Sequence, residues 1–180
     1  FYSHKGFVKE AFKTSMVKNM ADNKFSRGAS TISMQLVKNV FLKREKTLSR
    51  KLEEILLVYL MENNRIVSKD RMLEVYFNII EWGPDIYGIG EASRFYFQKT
   101  PSELTLNECM FLASIVPMPS KFMNQFEGTT WRYKFSKRAD YMKRMMLKTG
   151  VLKPEEMDSS TYIGISGNAR SFLKTNIVLP

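Results

Sequence analysis

Cysteine and histidine are almost missing. The 180 residues hold one of each, Cys109 and His4. No intrachain disulfide, no cysteine metal cluster and no multi-histidine metal site can be built from them. Cys109 lies in the apolar run LNECMFLASIV, so a buried structural thiol is expected there and not a nucleophile. Glycine and proline are scarce, at nine and six, which favours a mainly α domain over a turn-rich one. No apolar run reaches bilayer-spanning length, and no signal-peptide pattern is present. Acidic residues are outnumbered, 18 against 28 basic, for a formal net charge of +10. That excess points to an anionic partner, and nucleic acid, an anionic membrane and a phosphorylated substrate all fit it. A hydrophobic content of 44% excludes a disordered chain. The length suits one domain with a real core. The chain begins at Phe1 without an initiator methionine. It therefore reads as an excerpt of a longer protein.

Taken in order, Ser3 to Gly6 is a turn signal, and a helix is expected from about Val8. Phe12, Met16 and Met20 recur every four residues, with lysines 9, 13 and 18 between them. That pattern suits a surface helix packed on the core, and it also suits a helix at a membrane interface. ADNKFSRGAS is a polar loop. Ser30 or Thr31 can cap a helix running to about Leu42, and a second helix is expected from near Thr47 to about Asn63. Leu48, Leu52, Ile55, Leu56 and Tyr59 form one apolar stripe on it. Ser68 can cap a third helix through Met72, Tyr76 and Ile80. EWGPDIYGIG is a glycine-rich turn region. Thr100-Pro101-Ser102-Glu103 is a capping box opening a helix that reaches Val116 and stops at Pro117-Met118-Pro119. Trp131 to Thr149 is a long basic helix closed by Gly150. Pro154-Glu155-Glu156 opens a short turn, and loop or short strand is expected from Ser159 onward.

The densest chemistry lies between residues 24 and 54. Lys24, Arg27, Lys38, Lys43, Arg44, Lys46, Arg50 and Lys51 face Glu45 alone among residues 24–51. Ser30, Thr31, Gln35 and Lys38 gather near one helix start, where free N–H groups and the helix dipole favour an anion. Glu54 follows Arg50 and Lys51 at helical spacing of four and three, while Leu57, Val58 and Met61 lie on its other side. A carboxylate where a cationic surface meets an apolar one suits acid/base or charge-positioning work. A structural i,i+4 salt bridge is the other reading of the same spacing.

These residues resemble a known family. Gly28-Ala29-Ser30-Thr31-Ile32-Ser33-Met34-Gln35-Leu36-Val37-Lys38-Asn39 is similar to the G-x-S-T-I-x-x-Q-L-x-K-N motif of family 51 glycosyltransferases. These are the peptidoglycan polymerases of class A penicillin-binding proteins and monofunctional transglycosylases. Arg50-Lys51-Leu52-Glu53-Glu54 resembles their R-K-x-x-E motif. Tyr76-Phe77-Asn78-Ile79-Ile80-Glu81-Trp82-Gly83 resembles the Y-x-N motif in its monofunctional form. ASIVPMPSKF, residues 113 to 122, resembles the fifth motif, and Phe1-Tyr2-Ser3-His4-Lys5-Gly6 the end of the first, E-D-x-x-F-x-x-H-x-G. The likeness runs in order from Phe1 to about Phe122, with 123–180 a helical continuation of one glycosyltransferase domain.

The resemblance implies a lysozyme-like α lobe with a smaller membrane-facing jaw. It implies transfer between lipid-linked disaccharide-peptides (lipid II): an acceptor 4-hydroxyl attacks the donor's anomeric carbon, configuration inverts, and undecaprenyl diphosphate leaves. Glu54 corresponds to the second carboxylate. Lys38 corresponds to the donor-site lysine and Lys46 to a cation that holds the diphosphate. Ser30, Thr31, Gln35, Arg50, Lys51 and Asn78 correspond to further substrate-binding positions. The family usually carries arginine where Lys46 stands, and lysine keeps the charge without the bidentate fork. The general-base glutamate of the first motif would lie four residues before Phe1, so residues 1–180 alone are expected to bind substrate and scarcely turn over. No cofactor is evident, and a divalent cation bridging the diphosphate is compatible with the reading. Partners implied are the growing glycan strand, the outer face of the cell membrane and other cell-wall synthesis proteins, with no nucleic acid. No transpeptidase motif is seen. The alternatives are a lysozyme-like peptidoglycan hydrolase or lytic enzyme, and a non-catalytic polyanion-binding module.

Overall fold

A computed structural model of the chain describes residues 1–2, 30–42, 47–64, 66–121, 126–127, 130–131 and 133–156, without the side chains of residue 48 and of 126–135. The expected first helix near Val8, Lys46, Phe122 and the tail after Ser159 lie outside the described residues. The structure is mainly helical, as the composition implies. It divides into two compact units, Phe1–Ile79 and Ile80–Pro180.

In the first unit, helix α1 (Ile32–Phe41) starts where Thr31, in extended conformation, accepts the Met34 N–H on its hydroxyl. Helix α2 (Leu48–Asn63) starts the same way, with Thr47 Oγ1 accepting the Arg50 N–H at 3.2 Å. Helix α3 (Lys69–Ile79) follows Ser68, whose hydroxyl accepts the Arg71 N–H. All three caps agree with the sequence. Helix α1 packs on both α2 and α3. Met34, Val37 and Val58 form the buried cluster, flanked by Leu42, Ile55, Leu57 and Met61.

The face that α2 buries differs from its apolar stripe. Leu52, Leu56 and Tyr59 are each more than half exposed, whereas Glu54 and Val58 are almost fully buried. Of that stripe, Leu52, Leu56 and Tyr59 look outward while Ile55 packs on the buried cluster, because α1 covers the Glu54–Val58 side. Hydrophobic period identifies a face and does not choose its partner.

In the second unit the glycine-rich stretch is more ordered than a turn region. Strands β1 (Glu81–Gly83) and β2 (Ile86–Tyr87) form an antiparallel hairpin, with Asp85 at positive φ in the turn. Helix α4 (Ile89–Phe97) follows, a helix the sequence reading did not separate from that stretch. Tyr96 is fully buried and donates its hydroxyl to the Trp82 carbonyl at 2.9 Å. Its ring meets Phe111 edge-on at 5.1 Å, and Phe97 meets Phe111 likewise at 5.6 Å.

The box at Thr100 caps only a 3₁₀ turn, Pro101–Glu103. Extended Leu104 ends that turn, and a second box, Thr105 with Glu108, opens helix α5 (Leu106–Ile115). Glu108 Oε2 accepts the Thr105 N–H at 2.7 Å and both its oxygens accept from Lys99 Nζ. Burial works to raise the Glu108 carboxyl's pKa, but those donors outweigh it and hold the group below its ordinary range. Cys109 is exposed on α5, which corrects the buried reading: a continuous apolar run does not bury every face of its helix. Partial desolvation and the neighbouring Glu108 carboxylate push its thiol up, away from the thiolate a nucleophile needs.

Trp131 belongs to a two-residue strand and not to the last helix. Strand β3 (Phe126–Glu127) pairs with β4 (Thr130–Trp131), and helix α6 runs Tyr133–Lys148 against α5. Gly150, at φ +71°, closes it in the left-handed conformation.

Gly83 sits under Tyr96. A Cβ there would stand 2.5 Å from the Tyr96 hydroxyl and 3.0 Å from Ile86 Cδ1. Gly83→Ala is expected to cost about 1–3 kcal/mol by pushing that hydroxyl off the Trp82 carbonyl. In a Tyr96→Phe background the added cost should shrink. Urea unfolding of the four chains measures this, and an equal cost in both backgrounds would show that the hydroxyl is not the obstacle.

Candidate active site

Helix α2 delivers three charged side chains to one spot. Arg50, Lys51 and Glu54 lie within one turn, so their side chains share a face. Arg50 Nη1 donates to Glu54 Oε2 at 3.1 Å and Lys51 Nζ to Oε1 at 2.9 Å. The Glu54 side chain is 1% exposed, against 17% for Arg50 and 25% for Lys51. A carboxylate is buried here only because each oxygen meets a cation. Lys51 Nζ also donates to Ser30 Oγ at 3.1 Å, which ties the cluster to the residue preceding the α1 cap. Arg50 Nε is buried with no acceptor among the described residues.

Helix α1 contributes a second set. Thr31 caps the helix with its hydroxyl. Gln35, one turn on, accepts the Tyr76 hydroxyl on Oε1 at 3.1 Å. Lys38, a further turn along, is exposed. Spacing of four and then three keeps Thr31, Gln35 and Lys38 on one side of α1. The structure thus brings Ser30, Arg50, Lys51 and Glu54 into one bonded cluster. No described bond joins Asn78 to it: Asn78 Nδ2 donates to the Glu74 carbonyl of its own helix at 2.8 Å.

A second polar chain, missed by sequence reasoning, runs beside this one. Ser33, buried on α1, donates its hydroxyl to Glu62 Oε1 of α2. Lys69 Nζ, at the start of α3, stands 2.7 Å from the same oxygen and 4.4 Å from the centroid of the Phe1 ring. Tyr2 donates to Asp70 Oδ1 at 2.7 Å. Glu62 and Lys69 belong to different helices separated by a break, where no spacing rule pairs residues. The Tyr76–Gln35 bond was missed because Tyr76 reads as one more core position of α3. Among the described residues no group of three or more histidine, cysteine or acidic side chains could hold a metal.

Comparison with known proteins places this arrangement in a family. The model of the transglycosylase family matches residues 1–147. A biosynthetic peptidoglycan transglycosylase of Nitrosomonas eutropha is 44% identical over 119 residues, covering 66% of this chain and 48% of the relative. One of Acinetobacter baylyi is 38% identical over 138 residues, covering 77% and 60%. One of Paraburkholderia phytofirmans is 33% identical over 146 residues, covering 81% and 58%. The chain belongs to the transglycosylase family. It spans between about half and three fifths of the length of these curated relatives.

Charge pairing is what allows Glu54 to be buried, so its partners differ in importance. Lys51→Met leaves the carboxylate buried with one cation and should destabilise the chain by about 1–3 kcal/mol, discounted for the partial exposure of the lysine. Glu54→Met instead leaves two cations that can turn to water, and should cost less. Chemical unfolding of both variants gives the order, and the reverse order would show that burial of Glu54 does not depend on its cations.

Proposed function

We propose that this chain is a peptidoglycan glycosyltransferase domain, acting on lipid-linked disaccharide-peptides at the outer face of the cytoplasmic membrane. The observation that carries the reading is the buried Glu54 carboxylate gripped by Arg50 and Lys51 beside Ser30. Within a transglycosylase family match, such a cluster suits a reaction whose leaving group is a diphosphate.

The reaction gathers negative charge on the departing diphosphate. Cations already fixed in place stabilise that charge without reorganising during the step. Glu54 immobilises Arg50 and Lys51, and the cluster keeps one net positive charge for the anion. Lys38, exposed on α1, adds a mobile cation for the donor diphosphate. Gln35 and Ser30 supply neutral hydrogen-bonding groups. Lys46 is assigned to the diphosphate and Asn78 to a substrate-binding role from the motifs alone. As the acceptor 4-hydroxyl attacks the anomeric carbon from the face opposite the diphosphate, configuration inverts. The general base would come from a carboxylate preceding Phe1. A divalent cation is compatible with this reading, and among the described residues no group of histidine, cysteine and acidic side chains would hold one. The two compact units are taken as parts of one catalytic domain.

The test uses a chain that carries the residues preceding Phe1, supplied with lipid II. Glu54→Gln keeps the shape and removes the charge, and is expected to abolish polymer formation with the fold intact. Full activity in that variant would remove Glu54 from the mechanism. Lys38→Ala should lower donor kcat/KM by on the order of tenfold. Unchanged donor kinetics would remove the lysine from the diphosphate. Release of sugar from preformed glycan, with no polymer made, would favour a hydrolase. Binding of nucleic acid and lipid II alike, with a steep salt slope, would favour a polyanion-binding module.

A further inference from the structure

We infer that Tyr76 is a positioning residue that fixes the side-chain amide of Gln35 with its NH₂ group, and not its carbonyl, available to the substrate. The inference rests on the glycosyltransferase reading above and gives one of its contacts a defined polarity.

Four observations carry it. Tyr76 is 2% exposed, and its hydroxyl lies 3.1 Å from Gln35 Oε1. The bond crosses from α3 to α1, two helices that pack together, so both ends are held by backbone and not by a loop. Gln35 is only half-buried, so the rest of its amide has access to the side of α1 that carries Thr31 and Lys38. Burial pushes the Tyr76 phenol's pKa up, which keeps the hydroxyl protonated throughout the physiological range.

An amide is ambiguous by itself. It can present an acceptor oxygen or a donor nitrogen, and a half-turn about its terminal bond exchanges them at almost no change in shape. Beside an anionic ligand the two faces have opposite effects: the carbonyl repels, and the N–H donates. A protonated phenol can also accept an amide N–H, but the buried Tyr76 O–H would then have no acceptor among the described residues, so the pairing that satisfies it is the one in which it donates to Oε1. Nε2 is then the group left over, and it bonds no acceptor among the described residues. The ligand atom this position takes is therefore an oxygen acceptor, as on a diphosphate or a sugar hydroxyl. Tyr76 touches no substrate in this scheme and acts only through Gln35.

Tyr76→Phe removes one oxygen atom and keeps the buried ring. With the phenol gone, the amide is free to turn. In the full-length protein assayed with lipid II, we expect kcat/KM to fall about tenfold, the equivalent of ~1.4 kcal/mol. Far-UV circular dichroism should be unchanged. Gln35→Leu should fall by as much or more. The deciding measurement is the double variant: if Tyr76 works through Gln35, adding Tyr76→Phe to Gln35→Leu changes kcat/KM by less than twofold. A drop of the same factor in both backgrounds would overturn the inference, because Tyr76 would then act elsewhere. So would wild-type kinetics in Tyr76→Phe. Should Tyr76→Phe unfold the chain, Gln35→Glu supplies the second probe. It has acceptor oxygens only and should lose at least as much activity as Gln35→Leu, and activity close to wild type would overturn the donor assignment. If Gln35→Leu itself is fully active, the cleft assignment of Gln35 fails and the inference falls with it. If Gln35→Leu is impaired but Tyr76→Phe is additive, only the positioning role fails.

Discussion

The first unit depends on one buried charge. Glu54 faces the packing side of α2 next to Val58, where an apolar residue would fit the same space. Removing a carboxylate from water costs several kcal/mol in a real protein, and only close counter-charges offset it. Arg50 and Lys51 provide them from the preceding turn of the same helix. The arrangement therefore depends on α2 being helical from its first residue, which the Thr47 cap secures. The basic start of α2 and the buried glutamate are two sides of a single requirement. An ion pair of this kind is seldom the most stable way to fill a core position, and its cost makes sense at a site that handles charge.

Helix α1 is located by polar bonds as much as by its apolar side. Met34 and Val37 bury without direction, since apolar contact tolerates rotation and sliding. The alternating residues remove that freedom. Ser33 bonds Glu62 of α2, Gln35 bonds Tyr76 of α3, and Ser30 just ahead of the helix bonds Lys51. Three bonds to two neighbours fix the roll of α1 and the depth at which its first turn sits. A half-satisfied set would destabilise the unit. With each bond made, Ser30 also holds Lys51, one of the two cations on Glu54.

Local chemistry was legible in the sequence, and choice of partner was not. The cap at Ser30 or Thr31, the cap at Ser68 and the helix start near Thr47 were readable because a cap needs only the next three residues. Glu54 with Arg50 and Lys51 was readable for the same reason, and the salt bridge that this spacing allows is present and buried. Of the apolar stripe on α2 only Ile55 is seen to pack on the cluster while Leu52, Leu56 and Tyr59 stay exposed, because the period of a helix says nothing about which face a neighbour will cover. The hairpin and α4 were hidden in EWGPDIYGIG, where glycine signals a turn at either end of a short strand. The box at Thr100 hid a second one at Thr105, which also carries a glutamate three residues on, and only the extended backbone of Leu104 separates them. The Glu62–Lys69 and Gln35–Tyr76 bonds join separate helices, and residue spacing does not reach that far.

A held cluster of this kind differs physically from a merely basic surface. Free lysines on a surface attract any polyanion, and salt screens that attraction over about 8–10 Å. Arg50 and Lys51 are mostly shielded and fixed at about 3 Å from a carboxylate, so they act at short range, where screening is weak. Their pairing with Glu54 halves the net charge while fixing its direction. A long polyanion gains little from such a point, because it binds by the number of cations it covers. A compact anion whose charge grows during a reaction gains most, because oriented donors are already in place when that charge appears. The exposed Lys38 keeps the opposite character, free to follow a ligand as it moves. On the glycosyltransferase reading proposed above, the held pair serves to stabilise a diphosphate and the exposed lysine of α1 to follow it.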